Sequence, residues 1–218
     1  MVQTPQLENP RTEGTAIIRN EPVQARSAAR LTALLDAAAH VIHEIGYERL
    51  TTAMVADRAG ASIGTVYRYF PDRIAVLQSL AARNGERTID KALAEISNPE
   101  HANWFVALGN VFDSLKVAFR DEPGFASLRY GDVLDLRPHV GRPAMQGFAD
   151  RLFDAVVRRF DLDGSDAARA AFSAVVVTTD ALMARAYAAD PQGDETFLLA
   201  GVATAAALMS PYWAVPAE

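Results

Sequence analysis

The sequence predicts an all-α protein with a small helix-turn-helix head and a larger helical body. Three observations predict it. Apolar residues recur at helical spacing in the long segments from Leu31 to Met209, and no stretch alternates as a strand does. Short helical segments between Leu31 and Phe70 are punctuated by Gly46, Gly60 and Pro71. The 218 residues are half apolar, enough to bury a sizeable core.

Residues 1–22 hold Pro5, Pro10, Gly14 and Pro22 among polar side chains with no helical period, and read as a mobile N-terminal arm. The head follows over residues 23–72 and the body over 73–218. In the head, Leu31, Leu34, Leu35, Ala38, Val41, Ile42 and Ile45 share one helix face, and Gly46 ends that helix. Thr51 is placed to cap a second helix that runs to Ala59, with Gly60 closing it. Ser62 is placed to cap a third, from Ile63 to about Phe70. Pro71 stops it and Asp72 can cap the next. Gly60-Ala61-Ser62 is then the turn of the motif.

The body reads as six more helices. They run from about Arg73 to Ile96 with Gly85 a candidate bend, from Trp104 to Phe119, and briefly from Phe125 to Tyr130. The others run from Met145 to Phe160, Asp166 to Ala189 and Glu195 to Met209. Asn98-Pro99, Asp121 to Gly124 and Asp161 to Ser165 separate them, and Asp132 to Pro143 reads as a longer loop.

Composition narrows the function. There is no cysteine, so no disulfide framework and no thiolate metal site. The N-terminus has no apolar signal core, and no apolar run reaches the roughly 18 residues of a membrane span. The expectation is a soluble cytoplasmic protein without a membrane partner. The net charge is −6, yet residues 1–73 balance eight arginines against eight acids. A neutral head with local arginines can bind phosphate while an acidic body stays away from it. His40 and His43 share a helix face, but no second ligand cluster accompanies them, so no metal or cofactor is expected. No phosphate-binding glycine loop, G-x-S-x-G or H-E-x-x-H occurs, and the chain is not read as an enzyme.

In a helix-turn-helix the second helix enters the major groove. Ser62, Ile63, Gly64, Thr65, Tyr67, Arg68 and Tyr69 offer short polar groups, a methyl surface, rings and a cation of the kind that groove and phosphate contacts use. Val66 and Phe70 are four apart and form the inward face, against Met54, Val55 and Ala59. Arg26 and Arg30 are either solvated or an arm that touches phosphate or a minor groove. Spacing alone also fits a plain helical hairpin whose tyrosines cover a core edge.

The run LTTAMVADRAGASIGTVYRYFPDRIAVL resembles the N-terminal domain of the TetR family of transcriptional regulators. Thr51, Ala56, Ala59-Gly60, Ser62, Gly64-Thr65, Tyr67, Phe70, Arg73 and Leu77 carry the likeness, over about residues 27–80. The resemblance implies an all-helical homodimer with a DNA-binding head and a ligand-binding, dimerising body. Its partners would be double-stranded operator DNA of pseudo-palindromic sequence, a second copy of itself and a small-molecule effector, and it would act as a repressor released by that effector. It also implies DNA contacts by Thr51, Thr52, Ser62, Thr65, Tyr67, Tyr69 and Arg73. Arg73 stands where the family usually has Lys, and either cation holds a phosphate. Ile63 stands where a polar residue is frequent, which favours methyl contact with thymine over hydrogen bonding. The alternatives are a helical ligand carrier or enzyme whose head is only structural, and an activator that takes no ligand.

Two more expectations concern the body. Ala170, Ala174, Val177, Ala181, Ala184 and Ala188 fall on one face of their helix, a small-residue seam that lets two helices approach closely. With Leu198, Val202 and Met209 of the last helix, they are the candidate dimer interface. A monomer core using alanine for helix propensity fits the same spacing. Trp104, Leu108, Phe112, Phe125, Tyr130, Phe148, Leu152, Thr179 and Met183 are candidates for an apolar ligand cavity, or simply for core. Phe172, Val176, Thr179, Met183 and Tyr187 share the face of the Asp166 to Ala189 helix expected to fill its own domain's interior, and Asp180, at the border of that face, either meets a cation (a ligand, Arg137, Arg142 or Arg185) or reaches solvent or an interface.

Overall fold

The computed structural model describes residues 16–129 and 144–214. Among the described residues every regular element is helical. They are α1 (Ala16–Ile45), a 3-10 turn (Tyr47–Arg49), α2 (Thr52–Arg58), α3 (Ile63–Tyr69), α4 (Arg73–Ser97) and α5 (Trp104–Asp121). They continue with α6 (Phe125–Leu128), α7 (Ala144–Phe160), α8 (Asp166–Ala189) and α9 (Glu195–Met209).

The head forms where its caps place it. Thr51 Oγ1 accepts from the Met54 amide at 3.2 Å, Ser62 Oγ from Thr65 at 3.2 Å and Asp72 Oδ1 from Ala75 at 2.8 Å. Each such cap satisfies a helix-end amide and is worth about 1 kcal/mol. Gly60, at φ +58, takes the left-handed conformation the turn requires. One boundary differs from the sequence reading. α1 starts at Ala16, so residues 16–22, read as part of the arm, are helical. Pro22 suggested a break, and the helix runs through it. Residues 1–15 lie outside the described residues. α4 likewise passes Gly85 unbroken.

Three apolar clusters form among the described residues, the smallest around Phe119, Phe125 and Met183. The first gathers Leu34, Ala38, Ile42, Leu50, Val55, Val66 and Phe70 with Leu77 and Leu80 of α4 and Leu128 of α6. The packed head therefore reaches beyond residue 72. The second is built on aromatics. Trp213, after α9, lies with its ring centroid 5.2 Å from Trp104, 5.8 Å from Phe153 and 5.6 Å from Phe172. Its indole donates to the Asp163 carbonyl at 3.0 Å, and Trp104 donates to Ala214 at 3.0 Å. These bonds satisfy the indole N–H groups, one polar handle on each apolar body.

α8 and α9 pack closely on each other. Phe172 and Met183 of α8 face inward, while Ala170, Ala174, Val177, Ala181 and Ala188 are exposed and Ala184 is half-buried. By length and composition α8 is long and apolar enough to cross a bilayer, yet Asp180 interrupts it and its Phe172 and Met183 pack in the core of the body. On α9 the expected interface is corrected. Met209 is 1% exposed in the body core, and Leu198 packs beside Phe119 and Phe125. The large apolar residues of α9 that face outward are Val202 and Leu199, the latter 60% exposed. α9 is apolar all round, so periodicity could not choose its face.

Candidate DNA-binding face and ligand cavity

α3 divides cleanly into an inner and an outer side. Val66 is fully buried, and Phe70, just past the helix end, is nearly so. Ser62, Ile63, Gly64, Tyr67 and Arg68 face solvent, with Ile63 42% and Tyr67 54% exposed. Leaving an aromatic ring and a branched aliphatic in water on one short helix gives the fold nothing. These side chains are available to another surface.

The remaining predicted contacts surround this face. Thr52 Oγ1 donates to the Tyr67 hydroxyl at 3.5 Å, so the ring leans across the start of α2. Tyr69 is half-buried, and its hydroxyl lies 3.2 Å from Ser27 Oγ and donates to the Ser27 carbonyl at 3.4 Å. That tie brings the exposed Arg26 and Arg30 of α1 beside the C-terminal end of α3. Thr51 is exposed while its hydroxyl caps α2. Arg73 is half-buried and spends one guanidinium nitrogen on the Glu48 carbonyl, out of the five N–H donors of the group. Thr65 is half-buried, with its hydroxyl 3.0 Å from Ser62 Oγ. On the opposite side an exposed ion pair between Glu44 and Arg58 joins α1 to α2, and the Arg58 hydrogen bond pulls the Glu44 carboxyl below its ordinary range. His40 and His43 are exposed on α1, and among the described residues no three metal-ligating side chains converge.

A cavity of about 160 Å³ opens between α5, α7, α8 and α9. Trp104, Leu108, Phe112, Phe148, Leu152, Thr179 and Met183, candidates for cavity or core, line it. Phe125 does not line it; it packs on Phe119 at 5.3 Å and beside Met183. Tyr130 lies outside the described residues. Sequence reasoning missed Phe105, Phe119, Phe172 and Gly201, which also line the cavity. Phe172 stood on the face expected to point inward, so a helical wheel held that signal; Gly201 had none.

Asp180 borders the cavity, and its Oδ1 lies 3.1 Å from Arg129 Nε. Of the cations the sequence offers for it, Arg137 and Arg142 lie outside the described residues, and Arg185 sits 5.3 Å over the Phe197 ring. Arg129 ends α6 at φ +26, an unusual conformation for a residue with a side chain. At the other end of α6, Gly124 adopts φ +72, and a Cβ there would stand 2.7 Å from the Ala39 carbonyl of α1. Between them Phe125 belongs to the cluster beside the cavity and Leu128 to the head core. One helical turn thus touches both halves of the molecule.

Comparison with known proteins bears on the head and on the overall fold. The model of bacterial regulatory proteins of the tetR family matches residues 34–80. The HTH-type transcriptional repressor KstR of Rhodococcus jostii is 31% identical over 90 residues, 41% of this chain and 41% of that protein. The nucleoid occlusion factor SlmA of Pasteurella multocida is 24% identical over 141 residues, 64% of this chain and 68% of that protein. A TetR-family transcriptional regulator from Streptomyces coelicolor superposes with a TM-score of 0.71 at 29% identity, covering 84% of this chain and 99% of that one.

Proposed function

We propose that this chain, a member of the TetR family of transcriptional regulators, is a homodimeric repressor that binds a pseudo-palindromic operator and is released by a small apolar molecule. The observation that carries the reading is the outer side of α3. Ile63, Gly64, Tyr67 and Arg68 have no part in the head core and present a compact reading surface. Thr51, Thr52, Ser62, Thr65, Tyr69 and Arg73 flank it and are assigned to backbone contacts, with Arg26 and Arg30 reaching further along the duplex.

The exposed seam of α8, with Val202 and Leu199 of α9, supports pairing with a second copy. A monomer would leave that stripe in water. Pairing sets two heads at a fixed separation, and each reads one half-site. The cavity supports binding of a small molecule, and α6 offers a route from it to the head. Ligand and operator then oppose each other reciprocally. The working place is the cytoplasm, and no reaction is assigned to the chain.

The test is binding to DNA flanking its own gene, titrated over several salt concentrations with footprinting. The expected result is tight, site-specific binding with a steep salt slope and two protected half-sites. Affinity no better than for random DNA, at this and at sites selected from a random pool, moves the reading to a ligand carrier with a structural head.

A further inference from the structure

The cavity wall carries information about the class of molecule it accepts. The argument rests on the reading that the cavity binds an effector. Among the described residues that line it, Asp180 is the one with a formal charge. The rest of the wall is mostly rings and aliphatic chains, with Trp104, Phe105, Phe112 and Phe148 supplying aromatic surface. Asp180 is 15% exposed, so its charge acts in a medium of low dielectric. Arg129 is not a lining residue; it reaches the carboxylate from the end of α6.

A molecule in the cavity therefore meets a carboxylate and electron-rich ring faces. An anionic guest loses its hydration, finds no lining cation among the described residues and is repelled by Asp180. A neutral guest gains the burial of its apolar surface and, if it carries a hydroxyl, a hydrogen bond to Asp180 without the attraction between opposite charges. An ammonium on an apolar body gains that burial, the attraction of the ring faces and a charge-assisted hydrogen bond.

We infer that the effector is an apolar amine, cationic at neutral pH, whose ammonium binds Asp180 and whose body fills the space beside Trp104, Phe112 and Phe148. The ammonium then competes for the carboxylate with the Arg129 guanidinium, one of the groups that hold it. Arg129 is the last link of α6, and α6 is pressed on Ala39 at its other end. Amine entry would loosen α6 from α8, which gives the effector a route to the head. Competition also fixes a sign, because removing Arg129 strengthens amine binding.

The experiment is calorimetric titration of the full chain at pH 7 with three probes of one shape: 4-phenylbutylamine, 4-phenylbutanol and 4-phenylbutyrate. The amine is expected to bind about tenfold tighter than the alcohol, the worth of a hydrogen bond to a charged group, with the acid weakest. Asp180→Asn brings the amine to the level of the alcohol. Arg129→Gln strengthens the amine and leaves the alcohol unchanged, and it carries the test alone if the Asp180 variant does not fold. An acid that matches the amine, or an amine no better than the alcohol, overturns the inference and leaves the cavity as an apolar site. No binding by any probe overturns both the inference and the reading of the cavity on which it rests.

Discussion

The α-carbon of Gly124 sits against the carbonyl oxygen of Ala39, so close that a methyl group there would stand 2.7 Å from that oxygen. This contact presses α6 onto α1, and no residue with a side chain fits it. Gly124 also holds φ +72, which L side chains rarely adopt. Gly124→Ala is expected to cost about 1–3 kcal/mol through strain alone, read as a lower thermal midpoint. A midpoint equal to wild type would mean that α6 and α1 do not bear on each other.

Tyr67→Ala should remove operator binding and leave the rest of the molecule intact. The ring is outside the core, so the thermal midpoint should hold. A loss of about 1–3 kcal/mol per head is expected for a groove contact, measured by fluorescence anisotropy on labelled operator. Unchanged affinity would return Tyr67 to the role of a surface tyrosine.

Val177→Arg places a charge in the exposed seam of α8, where Val177 is 54% exposed in the single chain. The folded monomer tolerates it. A dimer through this seam does not, because each copy would bury an unpaired charge. Sedimentation should show monomers with unchanged helical circular dichroism. Dimers of wild-type strength would place the interface elsewhere.

The Glu44–Arg58 pair should make a small, pH-dependent contribution. The Glu44 carboxyl is lowered by the hydrogen bond from Arg58. A lowered carboxyl contributes stability above its unfolded pKa and loses it as pH falls through the folded one. Glu44→Gln should therefore lower the thermal midpoint slightly at pH 7, and the gap should close well below pH 4, under the ordinary glutamate value of about 4.3. A gap that persists at pH 2 would rule out the ion pair as its source.

Trp213→Ala should be the most damaging of these changes. Its ring touches those of Trp104, Phe153 and Phe172, and its indole holds the turn at Asp163. A loss of about 3–5 kcal/mol is expected, read from the urea midpoint. A loss under 1 kcal/mol would show that the cluster closes over the gap.

Most of this architecture was legible in the sequence because its signals are local. Thr51, Ser62 and Asp72 cap the helices they precede, and the alternation of inner Val66 with outer Tyr67 follows from helical geometry. The missing parts depend on distance or on uniform composition. Trp213 follows the last periodic residue, so no pattern assigned it to the core. α9 is apolar on every side, and only packing put Met209 inward and Leu199 outward. The Arg129–Asp180 pair joins residues 51 positions apart, and nothing local announces it. The N-terminal turns of α1 are not legible, because residues 16–22 include Pro22 and carry no helical period.

Only Val66 is buried among the seven residues of α3. The caps belong to Ser62 at one end and the next helix to Asp72 at the other, both outside its span. Changes at Ile63, Gly64, Tyr67 or Arg68 therefore leave the core untouched. On the proposed reading, a few surface replacements there would readdress the chain to new DNA sites, while selection on foldability acts on a different set of positions.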